Sequence, residues 1–253
     1  MVQRGWTHKE AGRHHQALAD FNRAIKLKPR YKSAITSRGH THRLTERHNE
    51  ALTDFNRAIE LDPNCAWSLA NRGETHRLMS RHDEALADFN RAIELDPKYK
   101  WAIASRGQLH RLMSRHDAAL ADLNRALKLD PNCPWCFANR GETYKQKGVY
   151  DAALADFNRA IGLDRNYQWA IANRGETYLL MQRYNEALID LNRALKLEPQ
   201  SARTLGNRGE VYRLMQRYDE ALADFDRALE LTPNNDWLLH HRSLIYQVEN
   251  DNK

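Results

Sequence analysis

The chain has 253 residues, of which 42% are apolar and 28% charged, and its formal net charge is +6. This is the composition of a folded globular protein. No stretch comes near the ~18 consecutive apolar residues of a membrane-spanning helix, and Met1 to Glu10 lacks the apolar core of a secretory signal. We therefore expect no membrane insertion and a cytoplasmic location.

The positive charge is unevenly distributed, which bears on nucleic acid as a partner. Residues 1–31 carry seven Lys and Arg against two Asp and Glu, and residues 100–133 carry six against three. A groove that binds nucleic acid needs a continuous basic track. The patchy distribution therefore argues against a nucleic-acid partner.

An Arg-Gly pair recurs every 34 residues without insertion or deletion, and Arg242-Ser243 is a degraded further copy. A fixed period of this length indicates stacked repeats, in which each unit completes its core against its neighbours. The seven intact copies are Arg4-Gly5, Arg38-Gly39, Arg72-Gly73, Arg106-Gly107, Arg140-Gly141, Arg174-Gly175 and Arg208-Gly209.

Residues 66–99 show how one repeat is predicted to fold. Leu69, Gly73 and His76 lie at i, i+4 and i+7, on one face of a first helix. A break follows, and Asp83 is expected to cap a second helix. Pro97 ends that helix, because proline disfavours helical geometry in the residue before it. The second helix has an apolar stripe of Ala85, Leu86, Phe89, Ala92, Ile93 and Leu95.

This pattern resembles the tetratricopeptide repeat (TPR) family. Residues 66–99 supply the family's frame at Leu69, Gly73, His76, Ala85, Phe89, Ala92 and Pro97. The resemblance covers essentially the whole chain. It implies an all-α fold, a right-handed α-solenoid of antiparallel helix pairs, with the first helix of each pair lining a concave face.

On this frame residues 1–253 are predicted to form a single array. A helix at residues 236–248 follows the last repeat and is expected to act as a polar cap. The predicted repeats are 1–31, 32–65, 66–99, 100–133, 134–167, 168–201 and 202–235.

The residue before the repeat glycine is usually aliphatic in the family but is Arg in all seven copies here, and an Asp follows sixteen positions after each Arg. We hypothesise an ion pair that joins the two helices of a repeat and fixes their register, since buried pairs often add little net stability. The alternative is two unrelated solvated charges. The aspartates are Asp20, Asp54, Asp88, Asp122, Asp156, Asp190 and Asp224.

Two aromatic positions switch together along the chain. We interpret them as core packing, because imidazoles on helices roughly 8–10 Å apart make a poor shared metal site. Buried neutral histidine predicts that the first four repeats loosen before the last three near pH 5. The pairs are His8/His14, His42/His48, His76/His82 and His110/His116, then Tyr144/Tyr150, Tyr178/Tyr184 and Tyr212/Tyr218.

The three cysteines, Cys65, Cys133 and Cys136, are too few for a disulfide framework in a chain this long. Cys133 and Cys136 form a CxxC sequence, which would suggest redox chemistry in a thioredoxin-like setting and supplies at most two zinc ligands. Here it lies between two predicted helices, and packing is the favoured interpretation. No metal or other cofactor is expected.

Rows of equivalent residues on the first helices share one helical face and form the candidate binding surface. Tryptophan offers a large contact area, although it could equally pack between repeats, and the Glu and Arg rows could be plain i,i+3 pairs. The candidate peptide-binding residues are Trp67, Asn71, Arg77, Trp101, Arg111, Trp135, Asn139, Trp169, Asn173 and Asn207. The flanking rows are Ser37 and Ser105 beside the asparagines, Glu74, Glu142, Glu176 and Glu210, and Arg43, Lys145 and Arg213.

The resemblance assigns the asparagines a role, since TPR proteins that bind extended peptides use an Asn at this place on the peptide backbone. A different TPR role, the binding of chaperone C-terminal tails, is not expected. The places that would hold the carboxylate carry residues such as Ala70 with Glu74 and Trp135 with Asn139, and only the middle asparagine matches.

The leading prediction is a non-catalytic scaffold that binds an extended segment of a partner protein along the concave groove. One alternative is single-stranded nucleic-acid binding by tryptophan stacking, which the Glu row opposes. Another is a generic or engineered array without a partner of its own. An enzyme is not predicted, because no HExxH, GxSxG or phosphate-binding glycine loop is present.

Overall fold

The computed structural model describes residues 1–251, and side chains for residues 1–247. Regular structure in this part of the chain consists of 15 α-helices without a strand. The helices are α1 (Val2–Glu10), α2 (His14–Leu27), α3 (Lys32–Leu44), α4 (His48–Leu61), α5 (Ala66–Leu78), α6 (His82–Leu95), α7 (Lys100–Leu112), α8 (His116–Leu129), α9 (Pro134–Gln146), α10 (Tyr150–Leu163), α11 (Gln168–Leu180), α12 (Tyr184–Leu197), α13 (Ala202–Leu214), α14 (Tyr218–Leu231) and α15 (Asp236–Asp251).

The helices fall into two compact units, one ending at Asp130 and the other beginning at Pro131. We call the odd-numbered helices A helices and the even-numbered ones B helices. Within each unit an A helix packs against the B helix of its own repeat, and that B helix packs against the next A helix. Each unit is therefore the predicted all-α solenoid of helix pairs.

One side of each unit is built from A helices alone. Successive A helices contact each other, as α3 contacts α5 and α11 contacts α13, whereas the described residues show no such contact between successive B helices. The A side is consequently the narrower, concave side of each stack, as the stacking of two-helix repeats favours. Side chains on this side can act together.

The predicted core positions are buried. Ala85, Phe89 and Ala92 are fully inaccessible to solvent in the third repeat, and equivalent residues are buried in the others. Glycine is needed where the two helices cross, because a Cβ on Gly73 would lie 3.1 Å from the Cβ of Asp88 and 3.2 Å from a backbone oxygen. The packing thus explains both the apolar stripe and the repeated glycine.

The prediction that Asp83 caps the second helix is wrong. Helix α6 begins at His82, its N-cap residue is Arg81, and no side chain hydrogen-bonds to the cap. Asp83 lies inside the first turn, where its charge suits the helix dipole. The last helix begins at Asp236 as predicted but continues to Asp251 rather than ending near residue 248.

The turn from the A helix to the B helix uses the left-handed backbone region at the same place in every repeat. This conformation costs a residue with a Cβ roughly 1–2 kcal/mol, whereas glycine adopts it freely. Five repeats nevertheless place another residue there. The seven residues, with their φ angles, are Gly12 (69°), Glu46 (59°), Ser80 (59°), Ser114 (56°), Gly148 (75°), Gln182 (59°) and Gln216 (60°).

We predict that Ser114→Gly stabilises the chain. The relief of left-handed strain, roughly 1–2 kcal/mol, exceeds the added entropy of the unfolded glycine, roughly 0.5–1 kcal/mol, so a net gain of about 0.5 kcal/mol is expected. Thermal unfolding followed by circular dichroism measures it. Ser114→Ala is the control and should give no gain, and a lower unfolding temperature for the glycine variant would contradict the argument.

The hypothesised Arg–Asp ion pairs form in all seven repeats. In the second, Arg38 Nε donates to Asp54 Oδ2 at 2.8 Å and Nη2 donates to Oδ1 at 2.5 Å. The Asp54 side chain is only 3% exposed. Such a bidentate pair fixes the relative position of two helices because both donors are held in one plane.

A third contact of the same guanidinium, which sequence reasoning missed, joins neighbouring repeats. Arg38 Nη1 donates to Asn22 Oδ1 of the preceding B helix at 2.7 Å. We call this three-helix arrangement the arginine clamp. In the last helix Arg242 makes the inter-repeat contact, to Asp226 at 2.7 Å. The same contact is formed by Arg72 with Asn56, Arg106 with Asn90, Arg174 with Asn158 and Arg208 with Asn192.

We predict that Arg106→Met destabilises the chain by about 3 kcal/mol, because it leaves the buried Asp122 carboxylate without its partner. The double variant Arg106→Met/Asp122→Leu should lose less free energy of unfolding than Arg106→Met alone. Urea unfolding followed by circular dichroism measures both. Arg91→Met is the control, since Arg91 is half exposed and pairs only at the surface. Equal or additive losses in the double variant would contradict the clamp.

The histidines that follow the clamp arginine lie beside the clamp carboxylate. His76 Nε2 is 4.0 Å from Asp88 Oδ2. Burial lowers the pKa of His76; Asp88 and Glu84 oppose this shift, and Arg72 and Arg81 add to it. The pKa values of His42 and His110 are lowered for the same primary reason. Repeats five to seven place tyrosines there. Tyr178 and its partner Tyr184 pack against one apolar cluster.

We predict that repeats two to four lose stability as the pH falls below about 6.5. Folding lowers the pKa values of His42, His76 and His110. In acid the unfolded chain therefore binds more protons than the folded chain, and the free energy of unfolding falls. Hydrogen exchange at pH 7 and pH 5, corrected for intrinsic rates, should show α3 to α8 losing protection before α11 to α14. In the control His76→Tyr/His82→Tyr, repeat three should keep its protection. Uniform loss along the chain would refute the prediction.

Candidate functional site

The concave side of each unit carries the predicted rows at one register, because each A helix starts at the same point in its repeat. Sequence reasoning missed one row, formed by leucines at the ends of A helices. These are Leu44, Leu78, Leu112, Leu180 and Leu214, and each is 39–49% exposed. Their 34-residue spacing outside the buried stripe was the available signal. The row supplies apolar surface that the core does not use.

Trp67, and Trp237 at the same repeat position in the last helix, pack against the preceding repeat and remain partly exposed. Trp67 meets the rings of His40 and Phe55 of the preceding repeat at centroid distances of 5.7 Å and 6.4 Å, and 38% of it is exposed. Trp237 contacts Phe225 in the same manner and is 43% exposed. The three remaining members, Trp101, Trp135 and Trp169, are half-buried.

Three of the four predicted asparagines are buried and bonded within their own helix. Asn71, Asn139 and Asn173 are each at most 3% exposed, and their amide nitrogens donate to the carbonyl oxygen four residues earlier at 2.8–2.9 Å. Asn207 differs, because its side chain is partly exposed and makes no hydrogen bond with another described residue. Of this row, Asn207 is the residue best placed to meet a ligand without rearrangement.

The acidic and basic rows form i,i+3 pairs, the simpler of the two interpretations. Arg77 pairs with Glu74 at 2.7 Å, and Arg213 pairs with Glu210 at 2.7 Å. Arg111 is half-buried on the equivalent turn of α7. Paired cations are poorly suited to phosphate contacts, since a ligand must first displace the carboxylate. This pairing weakens the nucleic-acid alternative.

In the second unit the pairs extend into a network across three A helices. Lys145 Nζ lies 2.9 Å from Glu142, 3.0 Å from Glu176 and 2.9 Å from Asn173 Oδ1. Arg203 joins from the next repeat, 2.5 Å from Glu176. Burial raises the pKa of Glu176, but Lys145 and Arg203 outweigh burial and hold it below its usual range. The two cations and the two carboxylates of the network balance each other. The side-chain oxygen of Asn173 accepts hydrogen bonds from Lys145 and Arg203 and is therefore already occupied.

A cleft of about 480 Å³ lies beside this network, between α11, α13 and α15. Leu179, Leu180 and Leu214 give it an apolar wall, and Asn207 and Trp237 contribute to its lining. Its volume lies within the 300–1,000 Å³ common for ligand sites. The cleft therefore unites one predicted asparagine, Asn207, with two leucines of the exposed row, Leu180 and Leu214.

Comparison with known families is decisive for the fold. Tetratricopeptide repeat models match residues 1–31, 32–98, 107–148, 136–167, 169–201 and 202–235. The chain belongs to the tetratricopeptide repeat family. A comparison with curated proteins finds no match.

Solved TPR structures resemble this chain at low sequence identity. A chain of the APC/C hetero-tetramer Cut9-Hcn1 has a TM-score of 0.88 at 18% identity over 95% of this chain, which spans only 48% of that longer chain. A TPR protein from Parabacteroides merdae has a TM-score of 0.74 at 19% identity, and the match covers 97% of each chain. YrrB, described as a TPR protein with an unusual peptide-binding site, has a TM-score of 0.56 at 23% identity. The match covers 75% of this chain and 97% of the YrrB chain. These likenesses concern the fold.

The TPR assignment agrees with the sequence prediction of family and fold class. None of the described helices combines the length and apolarity needed to cross a lipid bilayer. The ten predicted site residues occupy the A helices, with Asn71, Asn139 and Asn173 buried and Asn207 in the cleft. Proteins of this family are generally interaction scaffolds without catalytic activity.

Proposed function

We propose that this TPR chain is a non-catalytic scaffold that binds an extended segment of a partner protein in the groove of its A helices. We place the principal binding site in the cleft between α11, α13 and α15. The observation that carries the proposal is the meeting, in this one cleft, of a partly exposed Asn207 with the exposed leucines. The cytoplasm is the proposed location.

The chemistry of the cleft suits an extended peptide. The side chains of Leu180 and Leu214 are 49% and 39% exposed and can receive an apolar residue of the ligand. The amide of Asn207 can both donate to and accept from a peptide backbone whatever its side chains. Trp237, 43% exposed, adds a rigid aromatic surface beside them.

Charge pairing points to a ligand segment without a strong net charge. Glu210 accepts hydrogen bonds from Arg213 on one side, and its Oε2 lies 2.8 Å from His241 Nδ1 on the other. Glu176 is similarly occupied by Lys145 and Arg203. Because these carboxylates already have partners, a basic ligand gains little from them. An apolar, neutral segment fits the cleft better than a nucleic acid.

The proposal is tested with a displayed library of random 12-residue peptides selected on the intact chain. Peptides recovered should be rich in apolar residues and bind with Kd values in the micromolar range. Leu214→Glu should weaken binding at least ~10-fold, equivalent to about 1.4 kcal/mol, because it places a carboxylate on the apolar wall. Asn207→Ala should weaken it by a few-fold through loss of backbone hydrogen bonds. Fluorescence anisotropy measures each Kd.

The matched control is Leu44→Glu, which makes the same change at the equivalent position of the second repeat, where the leucine is 45% exposed. It should leave the selected peptides bound as before. Peptides that bind all three variants with unchanged affinity would place the site elsewhere. Failure to select any peptide, together with salt-dependent binding of a single-stranded oligonucleotide, would favour the nucleic-acid alternative.

A further inference from the structure

The two cysteines of the CxxC sequence are joined in the structure at the start of helix α9. Cys133 is the N-cap residue and Cys136 the third residue of the helix, and they form a disulfide with a Cα–Cα separation of 5.3 Å. That separation is the usual one for a disulfide. Sequence reasoning placed both residues between helices and favoured simple packing. The helix instead begins at Pro134, directly after Cys133.

The repeat itself holds these two positions in contact. In the third repeat the equivalent residues are Cys65 and Ser68, and Ser68 Oγ lies 3.2 Å from Cys65 Sγ. In the seventh they are Ser201 and Thr204, whose hydroxyl oxygens are 2.8 Å apart. The N-cap geometry thus brings small side chains together at these two positions in the third, fifth and seventh repeats. Two cysteines at these positions meet without any backbone rearrangement.

The two sulfurs differ in accessibility and in environment. Cys136 is 3% exposed, whereas Cys133 is partly exposed. The Cys136 backbone N–H donates to Cys133 Sγ at 3.1 Å. This hydrogen bond and the positive end of the α9 dipole both stabilise a thiolate on Cys133 when the bond is open. Cys133 is therefore the more accessible residue of the two and also carries the more reactive sulfur.

We propose that Cys133 and Cys136 form a reversible thiol–disulfide exchange site for low-molecular-weight thiols and their disulfides. The inference is independent of peptide binding. For reduction, an external thiolate attacks Cys133 Sγ, the S–S bond breaks, and its electron pair leaves on Cys136 Sγ, which takes a proton from water. A second external thiolate attacks the external sulfur of the mixed disulfide and releases Cys133. One protein disulfide and two thiols give one protein dithiol and one external disulfide, and oxidation is the reverse.

The proposal connects to the concave side through Trp135, which lies between the two cysteines on the candidate surface. Closing the disulfide restrains the first turn of α9 and with it the backbone that carries Trp135. The Asn139 amide nitrogen bonds to the Trp135 carbonyl at 2.9 Å, so the restraint extends one turn further. A cytoplasmic thiol pool would keep such a pair open, and oxidation would close it.

The test is a redox titration of the folded, full-length chain in glutathione buffers, quenched with acid, alkylated and weighed by intact mass spectrometry. Wild type should take up three alkyl groups from reducing buffer and one, on Cys65, from oxidising buffer, with full reversal. In the reduced chain Cys133 should alkylate at least ~10-fold faster than Cys136, following thiolate character and access.

The third repeat supplies the matched control. Ser68→Cys installs a second CxxC at the equivalent positions and should close reversibly under the same conditions, whereas Cys136→Ser should accumulate a glutathione adduct on Cys133 and never close. The proposal is overturned if wild type keeps three thiols in oxidising buffer, stops at the adduct, or reopens only when the chain is unfolded. Circular dichroism of each reduced variant establishes that it is folded.

Discussion

The arginine clamp is the interaction on which the rest of the structure depends. One guanidinium binds the carboxylate of its own B helix through two donors and the amide of the preceding B helix through a third, as Arg72 does with Asp88 and Asn56. Hydrophobic packing alone is non-directional and tolerates sliding of one helix along another. A planar group held at three points does not tolerate sliding, because each donor must keep its angle. The clamp therefore fixes register within a repeat and between repeats, and the net energy it contributes can be small.

A fixed register turns a repeated sequence into rows of equivalent side chains, and the cleft proposed as the binding site lies where one row changes. The basic row runs through Arg77 and Arg213, but the sixth repeat has Leu179 in its place. Leu179 cannot pair with a carboxylate, and it forms part of the apolar wall of the cleft. The cleft thus arises at an exception to the repeat, while the clamps of Arg174 and Arg208 that hold its walls follow the repeat pattern.

The sequence was sufficient for features that depend on periodicity. The period predicted the helix pairs, the buried Ala and Phe positions and the Arg–Asp pairs, because each follows from residues recurring at fixed spacing. It did not predict which way a polar residue on the chosen face would turn. Asn173 bonds to the Trp169 carbonyl of its own helix and to Lys145 of the preceding A helix, whereas Asn207 is partly exposed, so the same residue at the same repeat position differs in its surroundings. The Asp83 prediction failed because the N-cap of helix α6 is Arg81, two residues earlier, and no side chain hydrogen-bonds to the cap.

The start of an A helix shows how such a fold can acquire chemistry at little structural cost. The N-cap side chain is partly exposed and the side chain three residues later is buried in the third, fifth and seventh repeats alike. The two side chains meet as a thiol and a hydroxyl in the third repeat, as a disulfide in the fifth, and as two hydroxyls in the seventh. Because the backbone already holds the two groups together, changing one residue alters the chemistry and leaves the stack intact. In the proposed exchange the two cysteines have distinct roles, because Cys133 is partly exposed and Cys136 is buried.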